Sequence, residues 1–430
     1  MVSHNDIRSS LEDLPNELFL FICQFLSSAD VLLCFYGLNH RISQTISGYY
    51  RHVVIGQIPY EQFNHLCALI LPEIGINISS LVVSNQWKGI LSNCFLDYFA
   101  DKMSLTFPQL KTLSLISFNV DTCESFLSSL ENLFEFDEIR LYYQYDSTND
   151  SLKCEALLQK IFETNNQRLN SILFDNHSIV FSLKTFNSRL TYSNITKLSI
   201  DLATIDDLHR LLTLLPQLIS LIVTLNEDSP ERTEMNHSNE NQNLQEFRLQ
   251  SFGPSWTFHE LSSLIARLPC VKHLSFASDC YTDEQLLNGE KILPLISHLS
   301  LRTFRYFLQF YDVTSSIDEK MILSTWHEFT RQVICFKNNE TKAVVLFTLP
   351  FDFPYVFLRN SIAKNEVFAQ NYASQVEVLS LYGVSSTIDD IFPILKQSRR
   401  LKTLALQINE YAISRKIEFS KFLAIFSFIF

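Results

Sequence analysis

Two hydrophobic rhythms run along this chain. Near its start Leu14, Leu18, Ile22 and Leu26 recur at every fourth position, with Phe21 and Phe25 beside them. That spacing lines one face of a helix with apolar side chains. Pro15 suits the first helical turn, where a missing N–H costs nothing, and Asp13 and Glu17 complement the positive end of the helix dipole. Ser27-Ser28-Ala29-Asp30 then breaks the pattern, and Ser28 reads as the N-cap of a second short helix through Val31, Leu32, Phe35 and Leu38. A helical unit of about 45 residues cannot cover so many large apolar side chains alone. Part of the stripe is expected to seat on another chain or on the body of this one.

The second rhythm is apolar-x-x-apolar-x-apolar, the signature of a short strand. It recurs from Ile78/Leu81/Val83 through Leu110/Leu113/Leu115, Phe136/Ile139/Leu141, Leu169/Ile172/Phe174, Ile195/Leu198/Ile200, Leu218/Leu221/Val223, Leu244/Phe247/Leu249 and Val271/Leu274/Phe276 to Ile296/Leu299/Leu301. After a gap it returns as Val376/Leu379/Leu381 and Leu401/Leu404/Leu406. The period is about 26 residues, long enough for one strand and one helix. Thr204–Leu215 has a Thr cap, acidic first turn, Leu stripe and terminating Pro216, and Thr387–Leu395 echoes it. Asn226–Asn243 reads as an exposed polar loop. Residues 303–375 break the period; within them Arg331–Lys337 and Lys342–Leu349 predict a β-hairpin, with Trp326 placed to cover one face. The apolar Phe422–Phe430 reads as an unfinished or atypical last repeat, with an interfacial anchor as the alternative.

Composition narrows the class. Hydrophobic residues make up 47% and charged residues 19% of 430, which excludes a disordered chain. A net charge of −12 and the lack of any Lys/Arg run argue against nucleic acid as a partner. No stretch reaches the roughly 20 apolar residues of a membrane helix. Nine scattered cysteines with no C-x-x-C and no apolar leader point to a reducing compartment, cytoplasmic or nuclear.

At Leu14-Pro15-x-Glu17-Leu18, Ile22, Leu26 and Asp30-Val31 the chain resembles an F-box, the helical module that docks onto the Skp-type adaptor of a cullin–RING ubiquitin ligase. A basic residue and a Trp often close such modules; here Asn39-His40-Arg41-Ile42 stands without a Trp. The following period resembles degenerate leucine-rich repeats, with Asn119 the nearest approach to that family's loop asparagine. Together they are similar to the large F-box repeat families of some invertebrates, bdelloid rotifers among them. The resemblance implies an α/β fold: an F-box at 9–50, a leucine-rich-repeat-like solenoid (horseshoe) at 51–302, an inserted segment with Trp and β-hairpin at 303–375, and terminal repeats at 376–430. It implies adaptor contact by Leu14, Pro15, Leu18, Ile22, Leu26, Val31 and Leu32.

Alternation puts the residues between template positions on the opposite face of each strand, expected to be the inner one. Arg140, Tyr142, Lys197, Asp201, Glu246, Arg248, His273, His298, Arg302 and Tyr382 are the candidate target-binding positions, mixed in charge and including the Tyr and Arg that anchor interfaces. No catalytic constellation emerges. The closest pair of the eight glycines is eight residues apart, so no phosphate-cradling loop or nucleophile elbow exists. No paired Cys/His spacing suits a metal. Asp206-Asp207 and Asp389-Asp390 sit at helix starts and read as caps. The expectation is a non-enzymatic substrate receptor without cofactor, binding the adaptor and a target protein. The alternative is a repeat scaffold whose helical start is only an N-terminal cap.

Overall fold

The computed structural model describes residues 14–56, 58–85, 90–143, 151–175, 179–186, 190–226, 241–251, 255–280, 283–311, 318–327, 332–338 and 342–351, and beyond these 353, 355–359, 363, 376–382, 400–401, 403–407 and 415–418. The polar stretch over 227–240, the helix expected at Thr387–Leu395 and the apolar Phe422–Phe430 lie outside the described residues. The chain divides into two compact units, residues 1–203 with 207–221 and residues 204–206 with 222–430.

The first unit opens with three short helices, α1 (Asn16–Cys23), α2 (Ser28–Phe35) and α3 (His40–Thr45). The cap of α2 is Ser27, whose hydroxyl accepts the Asp30 N–H, and not Ser28. Parallel strands follow: β1 (His52–Ile55), β2 (Ser80–Ser84), β3 (Thr112–Phe118), β4 (Glu138–Tyr143), β5 (Ser171–Phe174), the two-residue β6 (Val180–Phe181) and β7 (Lys197–Leu202). Helices such as Ile90–Phe99, Val120–Ser129 and Ser151–Gln167 provide the crossovers that parallel pairing demands.

The sequence template becomes a register here. Val53, Leu81, Leu113, Ile139, Ile172 and Leu198 are successive Cα partners, and Ile55, Val83, Leu115, Leu141 and Phe174 form the next row. All of these side chains are buried. A second regularity joins one strand entry to the next. The carbonyl of Arg51 accepts from Ser79 and Ser80, that of Ser79 from Lys111 and Thr112, and that of Lys111 from Asp137 and Glu138. Asp137 and Asn170 repeat the pattern. Backbone groups thus satisfy one another where strands begin. Asn119 caps the helix Val120–Ser129 by accepting the Thr122 N–H, so it is not a loop-carbonyl partner. Rings fill the turns instead: Phe95 stacks on Phe126 at 5.6 Å between centroids, and Phe118 meets Phe126 edge-on at 5.2 Å.

Strand β8 (Ser220–Leu225) carries the template residues Leu221 and Val223, both buried. In the second unit β9 (Glu246–Ser251), β10 (His273–Cys280) and β11 (Thr303–Phe310) are parallel, and β12 (Val333–Asn338) with β13 (Ala343–Thr348) forms an antiparallel pair on β11. A separate sheet holds β14 (Tyr355–Arg359), β15 (Val378–Tyr382), β16 (Thr403–Gln407) and β17 (Arg415–Glu418).

Two expectations shift. Leu274 and Phe276 pair with Phe304 and Tyr306, so the last template of the first run is Leu301/Phe304/Tyr306, five residues beyond Ile296/Leu299/Leu301. Ile296 belongs to the helix Gly289–Ser297, whose exit mimics the strand pattern. In addition Phe353/Val356/Leu358 forms a template unit inside the supposed interruption, since Val356 and Leu358 pair with Leu379 and Leu381. Trp326 is fully buried. Its ring lies 5.7 Å from that of Tyr306 and its indole N–H donates to the Leu287 carbonyl. The hairpin core is made by Phe336, Val345 and Phe347 with Phe307, Phe351 and Phe353.

Candidate functional site

Helix α1 has two apolar faces. Phe19 and Cys23 turn inward and pack with Val31, Phe35, Ile42 and Ile46. The Phe19 and Phe35 rings meet edge-on at 4.8 Å. The other face, with the turn that follows it, is left open to solvent: Leu18 is 54% exposed, Phe21 56% and Ile22 38% on the helix, and Phe25 76% and Leu26 36% just beyond its end at Cys23. Phe21 and Phe25 contact each other at 5.3 Å and form a ridge beside the Leu18/Ile22 row. Pro15 is exposed and Leu14 half-buried at the head of this row. Val31 and Leu32 are fully buried. They support the module from within and do not belong to its contact surface, a correction that follows from α2 packing its Val31/Phe35 face against α1.

Several ties fix the orientation of that open face. Arg41 of α3 donates to the Leu14 carbonyl at 3.0 Å and to Asn16 Oδ1 at 2.6 Å, holding the start of α1. The Ser28 hydroxyl accepts the Val54 N–H at 2.7 Å and binds α2 to β1. The Tyr36 hydroxyl donates to Glu73 at 2.5 Å. Burial, then the Glu73 hydrogen bond and charge, push the Tyr36 phenol up to about 12. Tyr36, Tyr50, Glu73 and Asn77 line an open cleft of about 430 Å³ beneath the helices. These long-range polar ties have no sequence signal, since the partners stand 25 to 37 residues apart.

The second candidate surface is the strand face opposite the template residues. Arg140 and Tyr142 are exposed there on β4, and Arg140 pairs with Glu138 at 2.6 Å. Lys197 is exposed at the start of β7. Asp201 is buried, because β6 pairs with β7 at that point, Val180 opposite Asp201; it drops out of the surface. In the second unit Glu246, Arg248 and His273 are half-buried, and His273 Nδ1 lies 2.9 Å from Thr303 Oγ1. His298 caps the helix Gly289–Ser297 and Arg302 precedes β11, so neither stands between template residues as expected. The five-residue shift puts Arg305 there instead. Tyr382 ends β15, with its side chain outside the described residues. Asp207 is buried and accepts the Leu183 N–H at 2.7 Å, while Arg210 donates to the Leu183 carbonyl at 3.1 Å.

Among the described residues no group of three or more His, Cys, Asp or Glu is placed to hold a metal ion, and no helix is long and apolar enough to cross a membrane. Burial pushes the Cys123 and Cys335 thiols up to about 12 and that of Cys67 upward as well, which keeps them protonated and poor nucleophiles. No family model matches the chain, and no curated protein shows significant similarity to it.

Proposed function

We propose that this chain is a substrate-receptor subunit of a cullin–RING ubiquitin ligase. Its α1–α3 module acts as an F-box on a Skp-type adaptor, and its strand–helix units act as leucine-rich repeats that hold a target protein. The observation that carries this reading is the open apolar face of α1. Leu18, Ile22 and Leu26 occupy the spacing at which the sequence resembles an F-box, and they remain exposed after the module has built its own core from Phe19 and Cys23. Contiguous exposed apolar surface on a soluble fold marks an interaction site. The function is positioning: a tethered target meets the ubiquitin-loaded enzyme at raised effective concentration. No covalent chemistry is assigned to the chain.

The contacts proposed for this role are Leu14, Pro15, Leu18, Ile22 and Leu26, and the exposed Phe21 and Phe25 lie beside them. Co-purification of the full chain with a Skp-type adaptor, beside its Leu18→Asp variant, tests the reading. A second reading, an N-terminal cap for the repeat array, draws on the Ser28–Val54 and Tyr36–Glu73 bonds that fasten the module to the strands and helix behind it. Under that reading Leu18→Asp changes no partner binding.

A further inference from the structure

Two tyrosines from different elements meet at the cleft beneath the helical module. Tyr36 ends α2, and Gly37 follows in the left-handed region at φ 75°, a turn that suits glycine. A Cβ at Gly37 would meet nothing within 4 Å, so the turn stands open beside the cleft. Tyr50 ends the short helix Ile46–Tyr50. The two rings meet edge-on, with centroids 6.0 Å apart and planes at 67°, and both residues are half-buried. Glu73 from the helix Leu71–Ile74 and Asn77 from the turn after it form the facing wall.

Both phenol hydroxyls are already engaged. Tyr36 donates to Glu73 at 2.5 Å, and Tyr50 donates to the Ser43 carbonyl at 3.0 Å. What the tyrosines offer a ligand is therefore ring surface, whose faces are electron-rich. Glu73 is exposed and adds a carboxylate beside them. No Lys or Arg lines the cleft, and the chain as a whole carries −12. Its volume of about 430 Å³ falls among small-molecule clefts, which span about 300–1,000 Å³. Such walls call for a cation, and the rings select its kind. A primary ammonium is compact, strongly hydrated and brings three donors to satisfy. A trimethylammonium group brings none, and its methyl groups pack on aromatic faces.

We propose that Tyr36, Tyr50 and Glu73 form a binding site for a trimethylammonium group, with the rings against its methyls and the carboxylate balancing its charge. Two carriers share this chemistry, a small choline-like molecule and a trimethylated lysine side chain. The site goes beyond the proposed function and does not rest on it, since Leu18, Ile22 and Leu26 are not among the residues lining the cleft.

Calorimetric titration of the full chain at constant ionic strength tests this. The probes are choline, its neutral tert-butyl isostere, a trimethyllysine peptide and the same peptide with lysine. Wild-type protein is expected to bind choline about tenfold more tightly than the isostere, in line with a desolvated cation–π contact. Tyr36→Leu and Glu73→Gln are each expected to weaken choline binding about tenfold, while Tyr36→Phe, which keeps the ring, retains it. Unfolding midpoints show which variants are folded; if Tyr36→Leu is not, the exposed Glu73 decides. A trimethyllysine peptide that binds more tightly than choline, and more tightly than its lysine form, assigns the group to a protein. Choline binding at least as tight as that of the peptide assigns it to a free small molecule. Folded wild-type protein that binds neither choline nor the trimethyllysine peptide at millimolar concentration overturns the site. So does equal affinity for choline and its isostere, or choline binding unchanged in Glu73→Gln. Leu18→Asp is expected to retain choline binding, which separates this outcome from failure of the adaptor reading.

Discussion

Leu18 and Phe19 are neighbours in α1 that project about 100° apart around its axis, and Phe19 is 1% exposed while Leu18 is 54%. One residue closes the module's core and the other is left for something outside it. The two positions therefore separate stability from binding.

Truncating the inner residue removes a buried ring. Phe19→Ala is expected to destabilise the protein by about 3–5 kcal/mol, with Phe35, Val31 and Ile42 left around a cavity. Leu18→Asp changes the surface only and should stay within about 0.5 kcal/mol of wild type. Urea unfolding followed by circular dichroism measures both. Equal losses for the two variants would show that Leu18 is covered in solution.

The module's hold on the first strand rests partly on Ser28. Ser28→Ala leaves the Val54 N–H without the acceptor now 2.7 Å away. A loss of about 1 kcal/mol is expected, together with faster amide exchange at Val54. Unchanged exchange would mean that the bond is not formed in solution.

Gly289 opens its helix against the end of the next one. A Cβ there would stand 2.5 Å from the Thr325 carbonyl oxygen and 2.7 Å from Trp326 Cγ. Both neighbours are fixed, Trp326 by burial and by its bond to Leu287. Gly289→Ala should destabilise by about 1–3 kcal/mol through overpacking, read as a lower unfolding midpoint with a changed Trp fluorescence. A neutral result would show that the helix shifts freely.

Alkaline stability should depend on Tyr36. Its phenol is raised from 10 to about 12 in the folded chain, so the native state holds a proton that the unfolded state releases first. That contribution is complete below pH 10 and disappears as pH climbs through about 12. Tyr36→Phe should flatten this part of the stability profile, measured by denaturant titration between pH 9 and 12, and Glu73→Gln should flatten it in part. A slope identical in wild type and Tyr36→Phe would contradict the assignment.

The strand ladder is largely legible in the sequence. A pattern of period two within strands, repeated at near-constant spacing, picks out Leu81, Leu113, Ile139, Ile172 and Leu198, and these are register partners. A helix exit copies the pattern at Ile296-x-x-Leu299-x-Leu301, and the hairpin breaks the spacing ahead of Phe353/Val356/Leu358, so period alone picks out neither true strand. On α1, the rows Leu18/Ile22 and Phe19/Cys23 both obey helical spacing. Which row is inward depends on how α2 and α3 fold back, and that is not local information. The burial of Val31 and Leu32 is non-local in the same way, and that of Asp201 depends on the pairing of β6 with β7. Arg305 is hidden by the five-residue slip.

The most direct measurement is the affinity of the purified full chain for a Skp-type adaptor, wild type beside Leu18→Asp, with unfolding midpoints recorded for both. The expected result is micromolar or tighter binding by wild type and its loss in the variant at unchanged stability. No binding by wild type at micromolar concentration, or equal binding by the two proteins, would contradict the docking role of the open face of α1.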